Sequence, residues 1–163
     1  MARFELMIRV NGINYPVVAE PGTTLLEVLR EQLDFTGVKQ GCDGTGECGA
    51  CTVLLDGKSV NACLVLAINA VAKEITTIEG LSNGLELHPL QQAFMDCGAV
   101  QCGFCTPGMI LTAKALLDEN PRPTREEIKD GLRGNLCRCT GYVKIIDAVE
   151  HAAREMTAEP QDK

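Results

Sequence analysis

No stretch of this chain holds enough consecutive apolar residues to cross a bilayer, although apolar residues make up 45% of it and charged ones 23%. The opening "MARFELMIRVNG" lacks the basic segment, apolar stretch and small-residue cleavage site of a secretory signal, so a cytoplasmic protein is expected. Basic residues form no stripe and the formal net charge is −7, which leaves no electrostatic footprint for a phosphate backbone; nucleic acid is not an expected partner. Histidine is scarce as well. The two present, His88 and His151, have no second histidine or carboxylate at ligand spacing, which leaves them capping or solvent roles.

Catalytic patterns are missing too. There is no Ser-His-Asp arrangement, no phosphate-cradling glycine motif and no dinucleotide fingerprint, and the acidic pairs Asp118-Glu119 and Glu126-Glu127 fall at expected helix ends, where a solvated face is the default. No catalytic residue is assigned, and no substrate site is expected on this chain. What the sequence does have is cysteine, nine in 163 residues. In a reducing compartment, an odd and clustered set suits metal ligation better than disulfides.

Phe4, Leu6, Ile8 and Val10 alternate before Asn11-Gly12, and Ile13, Tyr15 and Val17 alternate after it, the pattern of a hairpin on a type I′ turn. Thr24 and Glu27 stand at capping-box spacing ahead of an amphipathic helix marked by Leu25, Leu26, Leu29 and Leu33. Residues 37–51, "GVKQGCDGTGECGAC", read as a loop that bends repeatedly. A second hairpin turns at Asp56-Gly57, and "EITTI" at 74–78 supplies a fifth strand.

After "EGLSNGLEL" every periodic segment has helical spacing, which puts a domain boundary near residue 80. Leu90, Phe94 and Cys97 mark one helix. Met109, Ile110, Ala113, Leu116 and Leu117 mark a second, starting at Thr106-Pro107, and a Thr124/Glu127 capping box opens a third. Val143, Ile146, Val149, Ala152, Ala153 and Met156 trace the last stripe. The expected class is α+β, with a mixed domain at 1–80, a helical domain at 81–157 and a frayed tail at 158–163.

Cys42, Cys48, Cys51 and Cys63 follow C-x5-C-x2-C-x11-C, and four thiolates suit one [2Fe–2S] cluster. The loop glycines let backbone N–H groups approach cluster sulfides. Plant-type ferredoxins have C-x4-C-x2-C at this point, so the first gap here is one residue longer, within Asp43 to Glu47. Cys102 and Cys105 in "VQCGFCTPGM", with Cys137 and Cys139 in "GNLCRCTGY", make a second set of four on two inter-helical turns. Cys105 stands just before a helix start, where free N–H groups and the dipole favour a thiolate. Cys97 is left for core packing.

Together "GCDGTGECGACTV", "VQCGFCTPGM" and "GNLCRCTGY" resemble the small iron–sulfur subunit of the xanthine dehydrogenase and aldehyde oxidase family of molybdenum hydroxylases, over nearly the whole chain. The resemblance implies an N-terminal ferredoxin-like β-grasp domain and a C-terminal four-helix bundle, each with a [2Fe–2S] cluster. Cys102, Cys105, Cys137 and Cys139 would then hold a molybdenum-proximal cluster, with Gln101 and Cys139 contacting the molybdopterin of a large catalytic subunit. Cys42, Cys48, Cys51 and Cys63 would hold a distal cluster, facing an FAD-binding medium subunit or an external acceptor in a hetero-oligomer. The stretches "KQGCDG" and "CRCTGYVKII" look closest to the branch that acts on 4-hydroxybenzoyl-CoA. The residues alone leave open two other readings: a free two-cluster electron carrier, and a zinc-stapled interaction module.

Overall fold

The computed structural model describes residues 3–158 of the chain; the tail expected to fray, 158–163, lies outside the described residues except for Ala158. The first half is a five-stranded sheet of β1 (Phe4–Val10), β2 (Ile13–Ala19), β3 (Thr52–Leu55), β4 (Lys58–Asn61) and β5 (Glu74–Thr76), in the order β2-β1-β5-β3-β4. Central β5 runs parallel to β1 and antiparallel to β3, which makes the sheet mixed. Both hairpin turns have two consecutive left-handed residues, Asn11-Gly12 and Asp56-Gly57, as the type I′ geometry requires.

The Thr24/Glu27 capping box opens α1 (Leu25–Glu27) as expected, but the helix does not continue as a single α-helix. Val28–Gln32 widens into a π-helix, where the Leu33 N–H donates to the Val28 carbonyl. Leu25, Leu26, Val28 and Leu29 are all buried against Ile8, Val10, Val17 and Ile75 of the sheet. The Arg30 guanidinium is drawn away to donate to the carbonyls of Thr36 and Val38 at the entry to the glycine-rich loop.

Among the described residues the second half has four helices: α2 (Pro89–Asp96), α3 (Thr106–Glu119), α4 (Arg125–Gly131) and α5 (Val143–Thr157). Their shared core contains Leu90, Phe94, Met109, Ile128, Ile145 and Val149. Two expected members of the α5 stripe, Val143 and Met156, are exposed instead: Val143 points away from the face that Ile145, Val149 and Ala152 bury, and Met156 shares that face but lies in the last turn of the helix. The acidic pairs are surface groups: Asp118 meets Lys114, Glu126 meets Lys129, and Glu127 closes the capping box of α4.

Helix α3 is buried on two sides. Met109, Ile110, Ala113 and Leu117 face the helical core, while Leu111 and Ala115 join Leu54 of β3 in a small cluster between the halves. At its start, Gly108 lies against the backbone of the glycine-rich loop, where a Cβ would fall 2.4 Å from the Gly49 carbonyl oxygen. Gly108→Ala should therefore cost about 1–3 kcal/mol of stability, read as a lower urea midpoint; an unchanged midpoint would show that the two backbones are not held together there.

Candidate metal centres

Cys42, Cys48 and Cys51 lie on the loop between α1 and β3, and Cys63 lies on the short 3-10 turn Ala62–Leu64 that follows β4. The longer first gap is taken up in a tight turn from Cys42 to Thr45, in which Asp43 and Gly44 are both left-handed and both the amide and the hydroxyl of Thr45 donate to the Cys42 carbonyl. Leu64 folds back over this loop, and a Cβ on Gly46 would lie 2.4 Å from its Cδ1. The Asn61 side chain donates to the Gly46 carbonyl at 2.8 Å and ties the end of β4 to the loop.

The thiols of this loop meet in pairs. Cys42 neighbours Cys48, and its thiol is pulled down to about 6, first by the Thr45 hydroxyl, whose one proton turns from the Cys42 carbonyl to the sulfur when the thiol ionises, and second by the Cys48 backbone. Cys51 neighbours Cys63, and burial pushes the Cys51 thiol up to about 12. The Ala50 amide donates to the Cys48 Sγ at 3.5 Å, the kind of backbone contact the glycines permit.

The second set is assembled from two turns. Cys102 and Cys105 lie between α2 and α3, and Cys137 and Cys139 lie between α4 and α5. Here too the thiols pair, Cys105 with Cys137 and Cys102 with Cys139. Cys105 does occupy the N-cap of α3, but the helix terminus does not govern its titration: burial and then the Cys137 thiol push it up to about 12. Cys139 is raised by the Cys102 thiol beside it. Burial also works against ionisation of Cys137, yet the hydroxyl and amide of Thr140 overcome it and hold the group below its ordinary value.

The two sets touch through the backbone. The Leu136 amide, next to Cys137, donates to the Cys48 carbonyl at 2.9 Å. Asn135, only 4% exposed, donates from Nδ2 to the Gly49 carbonyl at 2.9 Å and to Thr52 Oγ1 at 3.2 Å, and accepts from Thr112 Oγ1 at 2.8 Å. Phe104, between Cys102 and Cys105, reaches across to the first loop: a Cβ on Gly41 would lie 3.3 Å from its ring and 3.2 Å from the Cys48 Sγ.

Eight of the nine cysteines thus form two adjacent groups of four, all unbridged, while Cys97 ends α2 and packs against the helical core. Gln101 is exposed beside Cys102. His88 caps α2, its Nδ1 accepting from the Leu90 amide; His151, contrary to the expectation that no carboxylate stands at helical ligand spacing, meets Glu155 one turn along α5 at 3.3 Å, a surface pair with no second ligand among the described residues. Among the described residues, no three His, Cys, Asp or Glu side chains converge as ligands of a single ion do. Two pairs of thiols side by side could instead serve a two-iron cluster, with two thiolates for each iron. Surface pockets of about 370 Å³, around Arg125 and Arg154, and about 600 Å³, around Arg9 and Asp56, contain neither a cysteine nor a histidine. Asn135, Thr140 and Tyr142 stand inside the third cysteine motif but were not singled out from sequence, since their roles depend on partners distant in the chain or on a reversed turn.

Comparison with known proteins finds two iron–sulfur domains along the chain. Residues 8–74 match the family described as "2Fe-2S iron-sulfur cluster binding domain", and residues 77–150 match that described as "[2Fe-2S] binding domain". The nicotinate dehydrogenase small FeS subunit of Eubacterium barkeri is 52% identical over 93% of this chain and 96% of its own length. The xanthine dehydrogenase iron-sulfur-binding subunit of Escherichia coli O157:H7 is 53% identical over 86% of this chain and 88% of its own. The crystal structure of quinoline 2-oxidoreductase from Pseudomonas putida 86 superposes with a TM-score of 0.90 at 45% identity, covering 94% of each chain.

Replacing Asn135 by Leu, close in volume, removes three hydrogen bonds at a buried site: the Thr112 hydroxyl loses its acceptor, while the Gly49 carbonyl and the Thr52 hydroxyl keep only their bond to each other and the Thr52 amide. A loss of about 2–4 kcal/mol is expected in chemical unfolding. A loss below about 0.5 kcal/mol, the size of an ordinary surface change, would mean that the clasp contributes little.

Proposed function

The chain belongs to the xanthine dehydrogenase and aldehyde oxidase family of molybdenum hydroxylases, as a small iron–sulfur subunit that transfers electrons within an oxidoreductase complex, and we propose that each of its two groups of four cysteines holds one [2Fe–2S] cluster. The ligands are Cys42, Cys48, Cys51 and Cys63 in the first group and Cys102, Cys105, Cys137 and Cys139 in the second. This reading is supported above all by the meeting of the thiols in two pairs within each group. When bound, each cluster takes up and gives back one electron at a time.

The chain's own residues divide the remaining work. Cys51 and Cys63 are buried under β3 and the turn after β4, so the first group is anchored in the sheet half, while Cys102 and Cys139 stand exposed at the rim of the second. That exposed rim is bordered by Gln101 and by the apolar side chains of Val100, Phe104, Leu136 and Val143, all left open to solvent by the chain on its own. An apolar border around two exposed ligands suits burial against a large partner. We therefore assign the second group as molybdenum-proximal, with Gln101 and Cys139 contacting the molybdopterin of a large catalytic subunit. The first group is distal and faces an FAD-binding medium subunit or an external acceptor.

The same reading divides the chain into a ferredoxin-like β-grasp domain at 1–80 and a four-helix bundle at 81–157. The separate cores of the two halves support this division. No described helix is long and apolar enough to cross a membrane, and we place the complex in the cytoplasm, where nine unbridged cysteines are the norm. The Leu136–Cys48 hydrogen bond gives the two groups a short, stiff connection through the backbone.

Iron analysis of the complex tests the ligand sets. The unmodified chain should carry four irons, two for each of its two [2Fe–2S] domains. Cys51→Ser and Cys105→Ser should each reduce this to about two, whereas Cys97→Ser should leave it unchanged. Loss of iron in the Cys97 variant, or zinc in place of iron in the unmodified protein, would overturn the assignment.

A further inference from the structure

Beyond the ligands themselves, one turn organises hydrogen bonds around a single sulfur. The chain reverses at Gly141 and Tyr142, both left-handed at φ +65° and +69°. For a bulky residue such as tyrosine this conformation is strained and needs support from its surroundings. The support comes from both ends of the residue: its hydroxyl accepts from the Cys137 amide at 2.8 Å, and its own amide donates to Thr140 Oγ1 at 3.2 Å. Thr140 Oγ1 lies 3.1 Å from Cys137 Sγ, and the Thr140 amide lies 3.5 Å from the same sulfur.

The direction of the hydroxyl follows from chemistry. A sulfur that ligates iron is a thiolate and can only accept, while the lone pairs of Thr140 Oγ1 already receive the Tyr142 amide. The hydroxyl proton is therefore the one that points at Cys137 Sγ. A donor aimed at a ligand sulfur stabilises the reduced cluster more than the oxidised one, because the added electron increases the negative charge on the sulfurs. The Tyr142 hydroxyl meanwhile occupies the Cys137 amide, so the turn offers this sulfur a side-chain donor in addition to the Thr140 amide.

We propose that Thr140 is a positioning residue that raises the reduction potential of the cluster held by Cys102, Cys105, Cys137 and Cys139, through a hydroxyl hydrogen bond to Cys137 that Tyr142 orients. This rests on the ligand assignment above. The effect is selective: the hydroxyl reaches one sulfur of one group, so the other cluster keeps its potential. The threonine thereby helps set which of the two clusters holds the electron at equilibrium.

The test is a redox titration of the purified complex with dithionite, following both reduced clusters by electron paramagnetic resonance. Thr140→Val, which keeps the shape and removes the donor, should lower the reduced-to-oxidised ratio of one cluster at fixed potential about fivefold. That is about 40 mV at 59 mV per decade for one electron. Thr140→Ser should restore most of the ratio. Four irons per chain with an unmoved potential, or equal shifts in Val and Ser, would overturn the proposal while leaving the ligand assignment intact. If Val loses its cluster, the unmodified complex decides: brief exchange into deuterium oxide should place a deuteron coupled to that cluster, from the fast-exchanging hydroxyl, and its absence would overturn the proposal. Iron missing from the unmodified complex would instead indict the ligand assignment.

Discussion

Asn135 is a buried amide whose donors and acceptor are all engaged, and its partners come from both halves of the molecule: the Gly49 carbonyl and the Thr52 hydroxyl on one side, the Thr112 hydroxyl on the other. Glycines sit around it because nothing larger fits. A Cβ at Gly49 would fall 2.3 Å from the Gly134 carbonyl, and one at Gly108 would strike the Gly49 carbonyl. Two polypeptide backbones therefore meet directly, and the amide adds a bond across the contact to a Gly49 carbonyl and a Thr52 hydroxyl that already bond each other, while giving the Thr112 hydroxyl its acceptor.

Everything that the cysteines can do together depends on that contact. Gly49 follows Cys48 and Asn135 precedes Leu136-Cys137, so the clasp fixes a member of each thiol group relative to the other with only a few bonds between. Phe104 adds an aromatic side chain across the same gap. Electron exchange between two sites falls steeply with separation, and a joint made of backbone hydrogen bonds and close-packed glycines holds separation better than one made of long side chains.

The two thiol groups differ in surroundings as well as position. Cys51 and Cys63 lie in the core beneath the sheet, whereas Cys102 and Cys139 are exposed beside an apolar border. Ligands at an exposed rim are shielded only when a partner covers them, which is in keeping with membership of a family whose small subunits work inside larger oxidoreductases. The thiols of the second group are thus the more open to solvent at two of its four positions, Cys102 and Cys139.

Much of this was legible in one dimension. Both type I′ hairpins, both Thr/Glu capping boxes and the start of α3 at Thr106-Pro107 depend on interactions within four residues, so local chemistry determined them. The cysteine spacing also foretold which thiols meet, because C-x2-C and C-x-C each hold two thiols in one short turn and the helices bring the turns together. The π-helical widening at Val28–Gln32 was not legible, since it depends on where Arg30 and Leu29 find partners outside the helix. Only the folded chain could decide that Leu111 turns from the helical core toward β3, that Thr140 faces Cys137 across the Gly141-Tyr142 reversal, and that Asn135 closes on Gly49. Asn135 and Gly49 lie 86 positions apart; they are neighbours only because α3 packs between the cores of the two halves.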